Sequence, residues 1–208
     1  MGTCPQSIGQ LCEELTMDPI ASKLTEALDK QRTIFEKRGI KYALIGGLAL
    51  GYLGNPRFTT DIDFILHIPQ LSLPGLLEEL LENGFEFDLM AAIRTWTQGN
   101  MLVIHYEGFR IDWLKPPLAL HQHVIDKALE VEWKGTRIRV ATPESMILLK
   151  LLAFRVNDQA DIQGLIANKR SLLDLAWIDA EWQTIGELTD PPMLWFKERY
   201  HHITTGGS

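Results

Sequence analysis

Residues 42–66 hold the stretch that decides the fold: Tyr42-Ala43-Leu44-Ile45-Gly46-Gly47 and, after a spacer of thirteen residues, Asp61-Ile62-Asp63-Phe64-Ile65-Leu66. Tyr42 to Ile45 is a short apolar run closed by two glycines, the pattern of a buried strand entering a tight turn. Leu48 to Leu53 then suits one or two turns of helix, which Gly54-Asn55-Pro56 breaks. Asp61 to Leu66 opens with polar and apolar residues in alternation, as in a strand with one wet face, and this places Asp61 and Asp63 on the same side. Carboxylates two strand steps apart are separated by about 6 to 7 Å and can share divalent cations. Glycines at the end of the preceding strand let backbone N–H groups approach a phosphate with no side chain in the way.

Working outward, Leu24, Leu28, Ile34 and Phe35 recur at helical spacing, which predicts an amphipathic helix over Ile20 to Phe35 ending near Gly39. A second covers Leu73 to Leu81 and stops at Asn83-Gly84. Met101 to Tyr106 and Phe109 to Leu114, separated by Glu107-Gly108, read as a hairpin. Its second arm carries Asp112 between Ile111 and Trp113, where an uncompensated charge is expensive. Magnesium ions and phosphate oxygens would compensate it. Leu118 to Leu129 reads as helix, and Val131 to Val140 as a small hairpin turning at Lys134-Gly135. Beyond Pro143, Ser145 to Val156, Asp158 to Ile166, Leu172 to Ile185 and Met193 to Tyr200 read as helices, with a frayed tail from Ile203 to Ser208. The fold class is therefore α/β (α+β), a mixed sheet flanked by helices with a helical C-terminal part. The boundary falls near Ala141, between a unit over 1–140 that holds the candidate catalytic residues and a helical region over 141–208.

Bulk composition narrows the function classes. The chain has 208 residues, 46% hydrophobic and 23% charged, which is enough to bury a core. A net charge of -7 argues against a broad basic face for wrapping duplex nucleic acid, so a polyanion has to meet a metal or a local basic patch. Cys4 and Cys12 lack the spacing of a zinc module or a disulfide framework, which fits a reducing cytoplasm. Met1 to Gln10 lacks a secretory signal, and no stretch approaches the ~18 apolar residues of a membrane span. His121 and His123 are two apart in a helix and do not share a face, so they make no ligand pair. The six tryptophans are scattered as packing residues, with Trp113 beside Asp112.

Ile45-Gly46-Gly47, the spacer and Asp61-Ile62-Asp63-Phe64 together resemble the signature of the DNA polymerase beta-like nucleotidyltransferase superfamily. Arg57-x-Thr59-x-Asp61-x-Asp63 is similar to the form seen in small bacterial members related to AbiEii-type toxins and uncharacterised nucleotidyltransferases. Asp112, in Arg110-Ile111-Asp112-Trp113-Leu114, resembles the superfamily's third carboxylate. Thr142-Pro143-Glu144, Lys150, Arg155, Asp158 and Asp161 resemble later elements of the small members, so the likeness spans Tyr42 to Ile166. The resemblance implies an enzyme that moves a nucleoside monophosphate from a nucleoside triphosphate to an acceptor hydroxyl or phosphate. Asp61 and Asp63 would hold two Mg2+ ions. Asp112 would complete the metal site and orient or deprotonate the acceptor.

Gly46 and Gly47 would cradle the phosphates, and Arg57 with Lys150 would neutralise them. Lys150, amid Leu149, Leu151 and Leu152, needs a buried partner, for which phosphate is a candidate. Arg155 with Asp158 reads as an ordinary helix salt bridge, and Asp161 as a structural residue of the same helix. The superfamily's acceptors include tRNA ends, proteins and antibiotics, and the toxin relatives point towards tRNA or another macromolecule. One departure stands out: Leu48 follows the glycines where many active members place Ser. It supports an alternative, a catalytically silent nucleotide- or partner-binding half of a toxin–antitoxin pair with an antitoxin protein as partner. A third reading is a glycosyltransferase using Asp61-x-Asp63 to hold a sugar nucleotide.

Overall fold

The structure, a computed structural model, describes residues 19–56, 59–133, 135–169 and 172–206. Helix α1 (Pro19–Lys37) is followed by β1 (Lys41–Ile45), the short α2 (Gly46–Tyr52), β2 (Ile62–His67) and α3 (Leu73–Glu82). Then come α4 (Leu89–Gln98), the hairpin β3 (Met101–Tyr106) and β4 (Phe109–Leu114), α5 (Ala119–Lys127), and the hairpin β5 (Leu129–Trp133) and β6 (Thr136–Val140). Four helices close the chain: α6 (Pro143–Ala153), α7 (Val156–Lys169), α8 (Leu175–Trp182) and α9 (Pro191–Thr205).

The strands form one mixed sheet in the order β3-β4-β2-β1-β6-β5. β1 and β2 are antiparallel, β2 and β4 parallel, and β1 and β6 parallel. Alternation assigns the two faces. Tyr42, Phe64 and Trp113 point to one of them, where Phe35 of α1 meets all three rings at 5.2 to 5.6 Å between centroids. The indole of Trp113 is buried there and donates to Gln31 Oε1 at 2.8 Å, so its polar edge is satisfied inside the core. Asp63 and Asp112 point to the opposite face, which α5 covers in part by packing on β1 and β2.

No element was assigned between Gly84 and Met101, yet Leu89–Gln98 is helical. Asp88 accepts from the Ala91 amide and so caps its first turn. The tail is a correction: α9 continues through Thr205 rather than fraying from Ile203. Thr204 and Thr205 bond back to the carbonyls of Tyr200 and His201, and Gly206 stops the helix in the left-handed conformation. α6 starts with Pro143 behind a Thr142 cap. It ends at Phe154, a non-glycine residue with φ +47°, a conformation that costs roughly 1–2 kcal/mol. Packing of Phe154 on Trp195 holds that turn, and the turn folds α7 back so that its first residues face Lys150 on α6.

Candidate functional site

The site begins where β1 runs out. Gly46 has φ +69°, and a Cβ on it would collide with the Asp63 carboxylate, whose Cγ would lie 2.6 Å away. A Cβ on Gly47 would lie 2.8 Å from the Thr59 side chain. Both glycines are therefore required by close approach, Gly46 by Asp63 itself. Alanine at Gly46 should cost more stability than alanine at Gly39. Gly39 has φ +63° with open space around its Cβ, so it carries the backbone penalty alone. Thermal melts of the two variants test this, and equal losses would show that Asp63 does not constrain the turn.

Strand register assembles the carboxylates. Ile45 pairs with Asp63, and Asp63 pairs with Asp112 on the parallel β4, so the two aspartates are neighbours in one row. Their strands lie about 4.8 Å apart. Asp61 stands one residue before β2, with its amide donating to Thr59 Oγ1 at 3.2 Å. Arg110, two residues before Asp112 on β4, grips both of that carboxylate's oxygens at 2.8 and 3.1 Å. Its guanidinium is pushed above its ordinary range by the bond to Asp112 first, and further by the charges of Asp112, Asp61 and Asp63. Arg110 thus shares the electrostatic environment of all three aspartates. Arg110 was not among the expected site residues, although its i, i+2 spacing places it on the face of Asp112.

Hard oxygen donors in this row suit a divalent cation. Among the described residues, no set of three or more candidate ligands is drawn together into a ready-made metal site. The donor chemistry fits, with Asp61, Asp63 and Asp112 as the residues that would hold the ion. Arg57 lies outside the described residues.

A cleft of about 480 Å³ opens beside the row. Gly46 and Asp63 form one wall, α6 and the start of α7 the other, and Leu114 and His121 line it as well. Asp61 and Asp112 are not among its lining residues. Lys150 reaches the cleft, but its immediate partners are protein: Nζ is 2.6 Å from Asp161 and 3.2 Å from Asp158. The expectation of a helix salt bridge between Arg155 and Asp158 holds at 2.8 Å, within a larger cluster whose Lys150, Asp158 and Asp161 side chains are all at most 11% exposed. Burial raises the Asp158 carboxyl, but hydrogen bonds from Arg155 and Lys150 outweigh it and hold the group below its ordinary range. Two amides tie this helical part to the loop after α2: Asn55 donates to the Asp161 carbonyl at 3.1 Å, and Asn168 to the Gly54 carbonyl at 2.7 Å.

A glycine turn leading from one strand onto a short helix, with carboxylates aligned across the next two strands, defines the nucleotidyltransferase class. A family described as "Nucleotidyl transferase AbiEii toxin, Type IV TA system" matches residues 31–190. The chain belongs to that family and is a nucleotidyltransferase. No curated protein matches it in sequence. Among solved structures it is similar to an antigenic nucleotidyltransferase-like protein from Paracoccidioides brasiliensis, with 16% identity, 87% of this chain and 93% of that one covered, and a TM-score of 0.52. It is also similar to the antibiotic-resistance factor ANT(2'')-Ia, with 16% identity, 91% and 98% covered, and a TM-score of 0.50. These likenesses agree with the fold. Among the described residues no helix is long and apolar enough to cross a membrane.

Proposed function

We propose that the chain transfers a nucleoside monophosphate from a nucleoside triphosphate to a hydroxyl or phosphate of a macromolecular acceptor in the cytoplasm, with tRNA the first to test. The observation that carries this reading is the pairing of Asp63 with Asp112 across parallel strands, directly beside Gly46. In the reaction the acceptor oxygen attacks the α-phosphorus, the bond to the β-phosphate oxygen breaks, and pyrophosphate leaves. Asp112 would orient the acceptor or take its proton. Asp61 and Asp63 would hold magnesium, two ions in all with Asp112 completing the set, and when bound these supply charge neutralisation at the α-phosphate and the leaving group. Gly46 and Gly47 leave the turn bare of side chains for the phosphates, which Arg57 and Lys150 would help to neutralise.

The test is incubation with each nucleoside triphosphate labelled at the α-phosphate, magnesium, and separated tRNA and protein fractions. Label in one fraction, with none carried over from γ-labelled nucleotide, is the expected result; transfer of the γ-label instead would overturn the reading. Leu48 favours a second reading, a catalytically silent partner-binding member whose partner is an antitoxin. It fills the position after the glycines with a side chain only 8% exposed, packed in the core, and offers no hydroxyl to a phosphate. A stable complex with an antitoxin and no magnesium-dependent nucleotide binding would support it.

A further inference from the structure

His121 sits on the first turn of α5 and lines the same cleft as Gly46 and Asp63. Its Nδ1 is buried and has no hydrogen-bond partner among the described residues. A proton on that nitrogen would strand a donor, and a stranded donor is rarer in proteins than an under-used acceptor. The proton therefore belongs on Nε2, the other ring nitrogen of this cleft-lining residue. Burial pushes the pKa of the ring below its ordinary value, which keeps it neutral. The cleft that it lines has apolar side chains in Leu114, Met146 and Leu149 and charged ones in Asp63, Lys150, Arg155 and Asp158. Phosphate is recognised by cations and backbone amides. A neutral donor set among apolar side chains instead suits a flat, largely apolar group with acceptor atoms on its edge.

We propose that His121 is a substrate-contacting residue whose Nε2–H donates a hydrogen bond to an acceptor atom of the nucleoside, on base or ribose, when the triphosphate lies over Gly46 and Asp63. The inference rests on the nucleotidyltransferase reading and adds to it the residue that recognises the nucleoside. Sequence analysis discarded His121 because it shares no helix face with His123. A single histidine needs no such pair to bind a nucleoside.

The test uses the full chain with 15N-labelled histidines, the His121 signals being assigned with His121→Gln. The free protein should show the Nε2–H tautomer. Non-hydrolysable α,β-methylene analogues of the four nucleoside triphosphates with magnesium should shift those signals, whereas tripolyphosphate with magnesium should not. Equal shifts by all four place the bond on the ribose, and a shift by one places it on the base. His121→Phe should weaken analogue binding about tenfold and leave tripolyphosphate binding unchanged. His121→Gln, which keeps an N–H at the Nε2 position, should restore most of the affinity. Unchanged analogue affinity in His121→Phe, or His121 shifts driven by tripolyphosphate alone, would overturn the inference while leaving the parent reading intact. Failure of the wild-type chain to bind any analogue would overturn both.

Discussion

Asp63→Ala is expected to lower magnesium-dependent nucleotidyl transfer by at least about a thousandfold, equivalent to roughly 4 kcal/mol of transition-state stabilisation. Asp63 is the only one of the three aspartates that both belongs to the carboxylate row and lines the cleft. It also lies over Gly46, where the phosphate-approaching turn begins. Folding should survive the change, because the neighbouring core residues Ile62, Phe64 and Ile65, all fully buried, are untouched. A melting temperature within a few degrees of wild type, combined with lost transfer, is the expected pair of results. Retention of full activity would remove Asp63, and with it the row, from the reaction.

Lys150→Met is expected to have the largest effect on stability. Taking one partner from a buried ionic cluster leaves its opposite charges uncompensated, at a cost of about 3–5 kcal/mol. Here two nearly inaccessible carboxylates, Asp158 and Asp161, lose their shared cation, while Arg155 stays bonded to Asp158. The loss should depend on pH with a definite sign. In the wild type, Asp158 has its pKa held below the ordinary value: burial raises it, and the bonds from Arg155 and Lys150 outweigh burial. Such a group contributes stability that is present above the unfolded-state value of about 3.9 and is lost as the pH falls through the folded-state value. Without Lys150 that contribution is smaller, so acidification removes less from the variant than from the wild type. The difference between the two in urea denaturation should therefore narrow from pH 7 to about pH 3.5. A gap that stayed constant would show that the cluster's charge is not what holds α6 and α7 together.

What was legible in the sequence is what local geometry determines. Gly46 follows directly on β1 and Asp63 lies on its antiparallel neighbour β2, so the order of the two motifs, with the family resemblance, was enough to put them in one site. Asp112 is different: it reached the row through the parallel pairing of β2 with β4, a long-range contact that only family resemblance anticipated. Lys150 was correctly read as a buried lysine in need of a partner. Its partners lie beyond the turn at Phe154, and no helical period predicts a non-glycine residue in the left-handed region. The role of His121 depends on which of its nitrogens is buried, and that is a property of tertiary packing. Helix α4 was within reach of the sequence: Leu89, Ala92, Ile93 and Trp96 recur at i, i+3, i+4 and i+7, with Ala92 and Trp96 buried and Leu89 and Ile93 packed against the core.

The two amide ties between the loop after α2 and helix α7 bear on how the gene can be cut. More than half of the residues around the cleft come from the stretch between Met146 and Asp158, and the loop leading to Asp61 is moored to α7 through Asn55 and Asn168. A fragment ending near Ala141 would keep its row of aspartates but have a wall on one side only. Split halves expressed together would regain a binding cavity only by docking, so recovered nucleotide binding would serve as a direct reporter of their reassembly.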